Sequence, residues 1–545
     1  MFVWSSAGGL QWGATEWHRA KELPFEGGLA SRLILDRYLQ HGPKGVTPYN
    51  GAAVIFIWDP RTKTAHAWTD QFGYHPGFVY GKDSATPTVF TSFPDAIRAD
   101  SEADSTPDEV SMAEFLRAWR ATPPNTYYRY LKHAGPGMHW EWNLGTGTVS
   151  SKPYWTPFEE EFFRTEDEAA DALRLAVNER TAISDKTAIF ISGGADSRVM
   201  LFGADDPKKI TGINLYESEP TEESRIAEAL CKRVGAQYIG FGRDNDYYPR
   251  LASEIVKWSG AMWSMEDSHY LGVRDVALNS GADLVMSACT TDWIFKGYGL
   301  EKTYRKFLGK YLPLKRLLSE RVDGFLPNYP LEGPKEMRHE IDARMSAWFA
   351  GTPQRLESDR DHLLVEDRRV RPACYTVSVS GQMMYRIYPY DTFLADSRLA
   401  DCYSRIPAWM KLNGSVWGKA TSRMFSDADD IVDSNFGWPV NASPFGKLMF
   451  FAKGWIGRRV KRMAPAQKSS KSVNHPPCYA SWPELGWYAT NSPTVTAMWE
   501  DQSCREELTR VWGSDPWDVP LEKWVSSGLD FFRILTLLQY LRSNR

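Results

Sequence analysis

The chain has 545 residues, of which 43% are hydrophobic and 24% are charged, and its net charge is −4. This composition is that of a soluble globular protein, and the length predicts two or more domains. The near-neutral charge provides no basic field that would attract nucleic acid, so we expect no nucleic-acid partner. The cysteines are scattered without a Cys-x-x-Cys pair, which argues against zinc and a disulfide framework and favours a reducing cytoplasm. No apolar run is long enough to span a bilayer, and the first residues lack the features of a signal peptide.

The first part of the chain is rich in short β-type runs that are separated by turn residues. The runs cover residues 52–58, 65–69, 77–80, 88–92, 140–142 and 148–151. The last two flank a pair of glycines and predict a hairpin, whereas residues 111–119 have helical spacing. We therefore predict a β-rich domain over residues 1–160.

The stretch from Lys186 to Arg198 reads Lys-Thr-Ala-Ile-Phe-Ile-Ser-Gly-Gly-Ala-Asp-Ser-Arg. It predicts a buried strand of a parallel sheet, then a turn of small residues, then the start of a helix. Such a turn is an anion cradle, because glycines let the backbone approach a ligand and the helix N–H groups face negative charge. The residues that we expect to bind phosphate are Ser192, Gly193, Gly194, Asp196 and Ser197. Asp196 is in addition a hard oxygen ligand suited to Mg²⁺.

Strand and helix patterns alternate beyond this turn. Residues 209–216 and 237–241 have the pattern of strands, and residues 222–234 that of a helix. This alternation predicts a doubly wound parallel sheet of the α/β class, with its ligand at the carboxyl ends of the strands. We assign residues 161–545 to this second domain, including a helical C-terminal extension.

The hexapeptide Ser-Gly-Gly-x-Asp-Ser is not a Walker loop, because no Gly-Lys-Ser/Thr follows. It resembles the pyrophosphate loop of ATP-pyrophosphatases, which cleave ATP to AMP and pyrophosphate; the alternative is an ordinary glycine-rich turn. Together with this loop, pieces of the first part resemble the asparagine synthetase family in their order and spacing. The pieces are Tyr49 to Asp59, Asp70 to Pro76, Phe90 to Phe93, Pro136-Gly137 and Tyr154-Trp155. The resemblance covers most of the chain to about residue 445.

The resemblance implies an Ntn-hydrolase-like β-sandwich of the class II glutamine amidotransferase type. It also implies a synthetase domain of the HUP-like ATP-pyrophosphatase type, which uses ATP and Mg²⁺. A glutaminase of this family uses the thiol of a Cys directly after the initiator Met, whereas this chain has Phe2 there. The Arg-Gly-Pro-Asp and Asn-Gly-Glu pieces that bind glutamine are also missing. The resemblance therefore implies the fold of the glutaminase domain without its activity.

A second motif, residues 284–298, reads Leu-Val-Met-Ser-Ala-Cys-Thr-Thr-Asp-Trp-Ile-Phe-Lys-Gly-Tyr. It aligns without gaps on the family's Ser-Gly-(Asp/Glu)-Gly-x-Asp-Glu-x-Phe-Gly-Gly-Tyr. Asp292 falls on the family's second Mg²⁺ carboxylate, so Asp196 and Asp292 are the expected metal ligands. Cys289 replaces an acidic residue that supports adenylate formation in asparagine synthetase. It is either a pocket-lining, proton-accepting thiol or a small buried filler, and both disfavour simple asparagine synthesis.

Two further catalytic residues are implied by the resemblance. Residues 386–396 are similar to the family's Arg-x-Pro-Phe-Leu-Asp. Spacing to Pro407 selects Asp396 as the family's Asp, whereas local similarity selects Asp391; an N-cap carboxylate is the alternative. Lys419 matches the synthetase lysine, whose ammonium would neutralise charge on the α-phosphate or the acyl centre. A surface lysine is the alternative at that position.

Three later segments carry weaker signals. Residues 300–370 are rich in Lys, Arg, Leu and Glu, and we expect helices that line the acceptor pocket. Residues 446–471 combine aromatic residues and cations without an acid. This pattern favours either contact with an anionic membrane or an acidic partner, or a core-facing helix followed by a basic loop. Residues 478–545 have the pattern of further helices.

These observations predict an ATP-dependent amide-forming ligase without its own glutaminase. It would adenylate a small-molecule or peptide carboxylate, release pyrophosphate, and pass the acyl group to an amine or ammonia. Relatives with a disabled first domain include β-lactam synthetases, lasso-peptide cyclases and homologues in surface-polysaccharide pathways. Two other hypotheses are an ATP-pyrophosphatase that adenylates a nucleobase and a non-catalytic binding or scaffold protein.

Overall fold

The computed structural model describes most of the chain. The residues described are 2–7, 9–12, 18–19, 29–83, 85–158, 160–288, 291–307, 310–322, 335–428, 430–434, 476, 478–479 and 482–544. Cys289 and the basic segment 446–471 lie outside the described residues, so their predicted roles stay predictions.

The first part of the chain forms antiparallel sheets, as its short β-type runs predict. Its strands are β1 (Phe2–Ala7), β2 (Gly9–Leu10), β3 (His18–Arg19), β4 (Ala53–Asp59), β5 (Thr64–Thr69), β6 (Phe78–Tyr80), β7 (Val89–Thr91), β8 (Leu131–His133), β9 (Met138–Asn143) and β10 (Thr148–Pro153). A five-stranded sheet has the order β1-β4-β5-β9-β10, and a three-stranded sheet has the order β7-β6-β8. The predicted hairpin is the β9–β10 pair.

Helices surround these sheets and dominate the second part. They are α1 (Leu29–His41), α2 (Pro43–Val46), α3 (Glu109–Ala118), α4 (Asp167–Ala182), α5 (Ala195–Phe202), α6 (Glu222–Val234), α7 (Tyr247–Arg250), α8 (Ala252–Ser259), α9 (His269–Gly272), α10 (Arg274–Asn279), α11 (Thr291–Phe295), α12 (Lys335–Phe349), α13 (Asp359–Ile387), α14 (Ser397–Arg405), α15 (Ala408–Lys411), α16 (Ser415–Met424), α17 (Tyr488–Asn491), α18 (Pro493–Glu500), α19 (Arg505–Trp512), α20 (Leu521–Trp524) and α21 (Gly528–Ser543). Among the described residues, none of these helices has the length and apolar character needed to cross a membrane.

The central strands of the five-stranded sheet pack against apolar residues on both faces. Because side chains alternate along a strand, Ala65 and Ala67 of β5 face one way and His66 and Trp68 the other. The alanines join an apolar cluster with Val79 of the three-stranded sheet, so the two sheets pack face to face. The opposite face packs against α1 in a second cluster of apolar residues. That cluster contains Ile34, Tyr38, Ile55, Ile57 and Trp68.

The second part contains a parallel sheet. Its strands are β11 (Thr187–Phe190), β12 (Ile210–Tyr216), β13 (Gln237–Gly242), β14 (Leu284–Met286) and β17 (Tyr390–Asp391), in the order β13-β12-β11-β14-β17. All neighbouring strands run parallel. The chain winds outward from β11 to β13 and then returns to β14 on the other side of β11. A doubly wound sheet binds its ligand where the winding reverses, which is the crevice at the carboxyl ends of β11 and β14.

The prediction of helices throughout residues 300–370 is wrong for its first part. Strands β15 (Lys302–Phe307) and β16 (Lys310–Leu317) pair as an antiparallel hairpin instead. Tyr304 and Tyr311 meet edge to face across it, with their ring centroids 6.4 Å apart. The lysines and leucines of this segment are compatible with a helix, but Thr303, Tyr304, Phe307 and Tyr311 are residue types that favour strands. Helix α12 and the start of α13 agree with the prediction. A last strand pair, β18 (Cys478–Tyr479) and β19 (Trp482–Pro483), precedes the C-terminal helices.

One apolar cluster runs through both parts of the chain. It includes Phe78 and Leu116 from the first part and Val199 and Phe531 from the second. Polar contacts also join the two parts, since the Asn50 side chain accepts a hydrogen bond of 2.8 Å from the backbone N–H of Ser397. The packing is therefore continuous, and the domain boundary near residue 160 stays a prediction.

A buried ion pair fixes the edge of the parallel sheet. Asp391 of β17 pairs with Arg180 of α4, and both side chains are almost fully buried. Asp391 also accepts a hydrogen bond of 2.8 Å from the backbone N–H of Thr392. Removing one partner of such a pair leaves an uncompensated buried charge.

We expect Asp391→Ala to lower the free energy of unfolding by about 3–5 kcal/mol, because Arg180 would remain buried and unpaired. Urea denaturation followed by tryptophan fluorescence measures this loss. A matched control is Asp430→Ala, which removes an exposed ion pair with Arg233 and should cost far less, because water screens that pair. Equal losses for the two variants would contradict the role given to the buried pair.

Candidate functional site

The loop after β11 is stabilised by its own hydroxyl groups. The backbone N–H of Ser192 donates to Ser197 Oγ at 3.0 Å, and that of Gly194 donates to Ser192 Oγ at 3.2 Å. Ser197 Oγ in turn donates to the Ser192 carbonyl at 3.0 Å. Gly194 is the N-cap of α5 and provides no side-chain cap. The N-terminal end of α5, with its partial positive charge, therefore follows a preformed small-residue loop.

Residues 430–434 pack closely over this loop. The backbone N–H of Ser434 donates to the Gly193 carbonyl at 3.1 Å. A β-carbon on Gly193 would lie only 2.7 Å from Ser434 Cβ, so this position requires glycine. The buried guanidinium of Arg198 donates to the carbonyls of Gly193 and Ile431 at 3.1 and 3.0 Å. Arg198 thus holds the loop and its covering segment together.

Asp196 and Asp292, the two predicted metal ligands, converge on one ammonium group. Asp196 lies in the first turn of α5, after β11, and Asp292 lies in the first turn of α11, after β14. Lys296 Nζ is 2.6 Å from Asp196 Oδ1 and 2.7 Å from Asp292 Oδ1. The two carboxylate side chains are 36% and 48% exposed, so the group opens to solvent. The structure therefore brings both acids to one point in the crevice between β11 and β14.

The surroundings of Lys296 stabilise its charged form. Its ammonium lies 4.7 Å from the centroid of the Trp417 ring on α16, within the range of a cation–π contact. Burial opposes the charge of Lys296, but Asp196 and Asp292 outweigh it and raise the pKa of Lys296 above its ordinary value. Burial raises the pKa of Asp196, the ammonium of Lys296 opposes this rise, and the neighbouring Asp292 adds to it.

The donor set suits Mg²⁺, but an ammonium stands between the donors. Two carboxylates at an open crevice are hard oxygen ligands that leave room for water and phosphate oxygens. Lys296 Nζ is within hydrogen-bond distance of both, so an ion that binds Asp196 and Asp292 together must displace it. The residues fit Mg²⁺ on the condition that Lys296 moves away. In the aligned family pattern, Lys296 stands at the first glycine of Phe-Gly-Gly-Tyr.

Lys419 does not contact the group formed by Asp196, Asp292 and Lys296. Its ammonium lies 3.7 Å from Asp167 on α4, and its side chain is 44% exposed. Trp417, which faces Lys296, precedes Lys419 by two positions on α16, and residues two apart on a helix point in nearly opposite directions. The contacts of Lys419 are those of the surface lysine named as its alternative, and its catalytic role stays a prediction.

Asp396 and Asp391 are likewise held by structural partners. Asp396 is fully buried, is the N-cap of α14, and accepts a hydrogen bond of 2.9 Å from the Arg398 backbone N–H. The Arg398 guanidinium also pairs with it at 2.7 Å. Asp391 pairs with Arg180, as described above. The contacts of Asp396 match its alternative as an N-cap carboxylate, and neither acid is brought onto Lys296.

A second buried ion pair lies at the neighbouring strand ends. Glu217 directly follows β12, and its Oε1 is 2.9 Å from Nε of Arg243, which follows β13. Burial raises the pKa of Glu217 to about 7, although Arg243 opposes the rise. This pair joins the carboxyl ends of β12 and β13 next to the loop.

Three contacts of the site were not predicted from the sequence. Lys296 follows Asp292 by four residues in the motif at residues 284–298, and this spacing is the sequence signal that indicates their ion pair. Arg198 follows the hexapeptide directly, but nothing in the sequence shows which carbonyls it binds. Trp417 joins the site only through the packing of α16.

Comparison with known proteins supports the first part of this architecture. A family model described as a glutamine amidotransferase domain matches residues 16–155. Residues 16–155 are thus similar to a glutamine amidotransferase-type domain, which is consistent with an Ntn-type fold. The parallel sheet and its loop lie outside the match. The search of curated proteins found no match.

We expect Gly193→Ala to displace residues 430–434, because its β-carbon would collide with Ser434. The thermal midpoint should fall, and hydrogen exchange of residues 430–434 should accelerate. Gly418→Ala is the matched control, since a β-carbon at this helical position meets nothing within 4 Å. It should leave exchange unchanged and stabilise α16 by up to about 1 kcal/mol. Unchanged exchange in Gly193→Ala would show that the covering segment does not depend on this close approach.

Proposed function

We propose that the protein is an ATP-dependent amide-forming ligase of the asparagine-synthetase type. It adenylates a carboxylate and transfers the acyl group to an amine or ammonia. The observation that carries this proposal is the convergence of Asp196 and Asp292 on Lys296, beside the Ser192–Ser197 loop. The glutamine amidotransferase-type domain supports it, because that domain type accompanies nitrogen transfer.

The reaction proposed here has two steps. A carboxylate oxygen attacks the α-phosphorus of ATP, the bond to the β-phosphate oxygen breaks, and pyrophosphate leaves. An amine then attacks the acyl carbon, AMP leaves with the electron pair of the broken C–O bond, and the amine loses a proton. Both steps transfer existing groups, so no oxidant or reductant is needed.

The residues of the loop would hold the phosphates during the first step. The N–H groups at the start of α5 face the pyrophosphate, and Ser192 and Ser197 orient the loop through their hydroxyls. Asp196 and Asp292 would hold Mg²⁺, which supplies positive charge to the phosphate oxygens when it is bound. Lys296 would move onto a phosphate oxygen, where its ammonium stabilises the developing negative charge.

In this proposal, the first domain does not release ammonia from glutamine, so the amine comes from another source. Position 2 is Phe2 at the start of β1, and the first cysteine of the sequence is Cys231. No thiol in residues 1–230 can therefore act as a glutaminase nucleophile. We propose that the acceptor is free ammonia, ammonia from a partner, or an amine of the substrate, and that the reaction takes place in the cytoplasm.

A second candidate function is nucleotide binding without turnover. It is favoured by the same ammonium, because Lys296 already neutralises the carboxylates that would bind the metal. The exposed ion pair of Lys419 with Asp167 also favours it. Adenylation of a nucleobase is a weaker candidate, because the chain lacks a basic field.

The first test measures pyrophosphate release from ATP while a library of carboxylates and amines is screened. We expect release with a carboxylate substrate, and Asp196→Asn should lower its rate by about 10²–10³-fold or more. Asp275→Asn, a change on the exposed surface of α10, is the matched control and should keep full activity. Thermal unfolding of each variant confirms that it is folded.

Release of pyrophosphate only with tRNA or a nucleobase would favour the nucleobase candidate. Nucleotide binding without release for any pair of carboxylate and amine would favour non-catalytic binding.

The second test concerns the metal position. We expect Lys296→Met to bind Mn²⁺ at least about tenfold more tightly than the wild type, because the competing ammonium is removed from two carboxylates. Electron paramagnetic resonance of free Mn²⁺ measures this affinity without any need for turnover. Lys419→Met makes the same substitution at the exposed pair with Asp167 and should leave Mn²⁺ affinity unchanged. Equal affinities in all three proteins would contradict a shared cation position between Asp196 and Asp292.

A further inference from the structure

A cluster of two histidines and a glutamate lies on the first sheet, in the other half of the molecule from the loop after β11. His66 is on β5, and His139 and Glu141 are on the neighbouring strand β9. The strand register pairs His66 directly with Glu141, and Trp68 with His139. Alternation along the strands therefore puts all three side chains on the face that is covered by α1.

The ligand atoms of this cluster have the spacing of a metal site. His66 Nδ1 is 3.1 Å from His139 Nε2 and 3.7 Å from the Glu141 carboxylate. All three ligand atoms lie within 4.8 Å of one another. Around a tetrahedral zinc ion, ligand atoms at about 2.0–2.2 Å from the metal are about 3.3–3.6 Å from one another. A small rotation of the half-exposed Glu141 closes the remaining difference.

The outer contacts of His66 are those of a metal ligand. Its Nε2 lies 3.1 Å from Thr64 Oγ1, which lies 2.6 Å from Thr62 Oγ1. With a metal on Nδ1, the Nε2–H group donates to Thr64 Oγ1, and the Thr64 hydroxyl can in turn donate a hydrogen bond to Thr62 Oγ1. A partner on the second nitrogen is typical of histidines that bind metals, because it fixes the tautomer and the ring orientation.

The aromatic rings and the charges around the three side chains are also compatible with metal binding. His139 stacks on Trp68 with centroids 4.7 Å apart and nearly parallel planes, which fixes its ring. Burial lowers the pKa of both imidazoles, that of His139 to about 4, and this direction favours the neutral form that coordinates a metal. Glu141 is 41% exposed and gives the site an opening to solvent. Lys152 of β10 is the register partner of His139 on β9. Its positive charge would repel a bound metal ion, but its side chain is exposed to solvent.

We propose that His66, His139 and Glu141 form a zinc site that joins β5 to β9 and leaves one coordination position for water. The cysteine spacing that argued against zinc does not bear on this site, because its ligands come from strand register and not from a sequence motif. The site is independent of the proposed ligase activity.

The test uses the full chain, freed of metal with a chelator and then titrated with Zn²⁺ against a chromophoric competitor. The wild type should bind about one Zn²⁺ at this site, and bound Co²⁺ should show the visible absorption of a four-coordinate ion. His66→Ala and His139→Ala should each weaken binding by about tenfold or more. His41→Ala, at the exposed end of α1, is the matched control and should leave it unchanged.

Glu141→Gln keeps the proposal testable if the buried histidine variants fail to fold, since Glu141 lies partly at the surface. It should also weaken Zn²⁺ binding about tenfold and abolish the thermal stabilisation by Zn²⁺. Lys152→Gln should tighten binding, because it removes the opposing charge. The proposal is overturned if Zn²⁺ affinity and the Co²⁺ spectrum are the same in the wild type and in Glu141→Gln, or if the wild type binds no Zn²⁺.

Discussion

The contact of Lys296 with two carboxylates is the interaction on which the arrangement of the site depends. Asp196 begins the helix after β11, and Asp292 begins the helix after β14. These two strands flank the reversal of the winding, so their following loops meet at the crevice. Two carboxylates that both lie within hydrogen-bond distance of one point repel each other unless a positive charge lies between them. Lys296 supplies that charge and thereby holds the two loops in register.

Other contacts make the same crevice rigid. Arg198 binds the carbonyls of Gly193 and Ile431, so the loop cannot separate from its cover without exposing a buried cation. Trp417 places a ring beside Lys296 and connects the crevice to α16. In our proposal, the triphosphate of ATP takes the place of Asp196 and Asp292 as the negative partner of Lys296. Its negative charge would draw Lys296 away from the carboxylates and leave them to a metal.

The first domain has a different role in this account from the one its family description suggests. It matches a glutamine amidotransferase domain, yet the sequence has no cysteine before Cys231. Its three-stranded sheet contributes to the apolar cluster that continues into the second part, and Asn50 binds the start of α14. We therefore propose that it serves as a structural support for the second part of the chain. The proposed zinc site would strengthen the pairing of β5 with β9 in that support.

The sequence predicted the elements whose signals are local. The bounds of α6 agree with the expected helix at residues 222–234, and α5 begins where the turn of small residues predicts a helix start, because clear turn residues flank both helices. Asp292 was found because its motif aligns without gaps on a family pattern. The β15–β16 hairpin was missed, because its lysines and leucines are equally common in helices. The direction of the Lys419 side chain depends on how α16 is rotated about its axis, and the His66 cluster depends on the pairing register of β5 and β9. Neither property can be predicted from the sequence alone.

The most direct measurement is a crystal structure of the protein with α,β-methylene-ATP and Mg²⁺. The account predicts the triphosphate against residues 192–197, the metal on Asp196 and Asp292, and the Lys296 ammonium on a phosphate oxygen. It is contradicted if the nucleotide binds elsewhere, or if it binds at the loop while Lys296 still bridges both carboxylates and no metal is present.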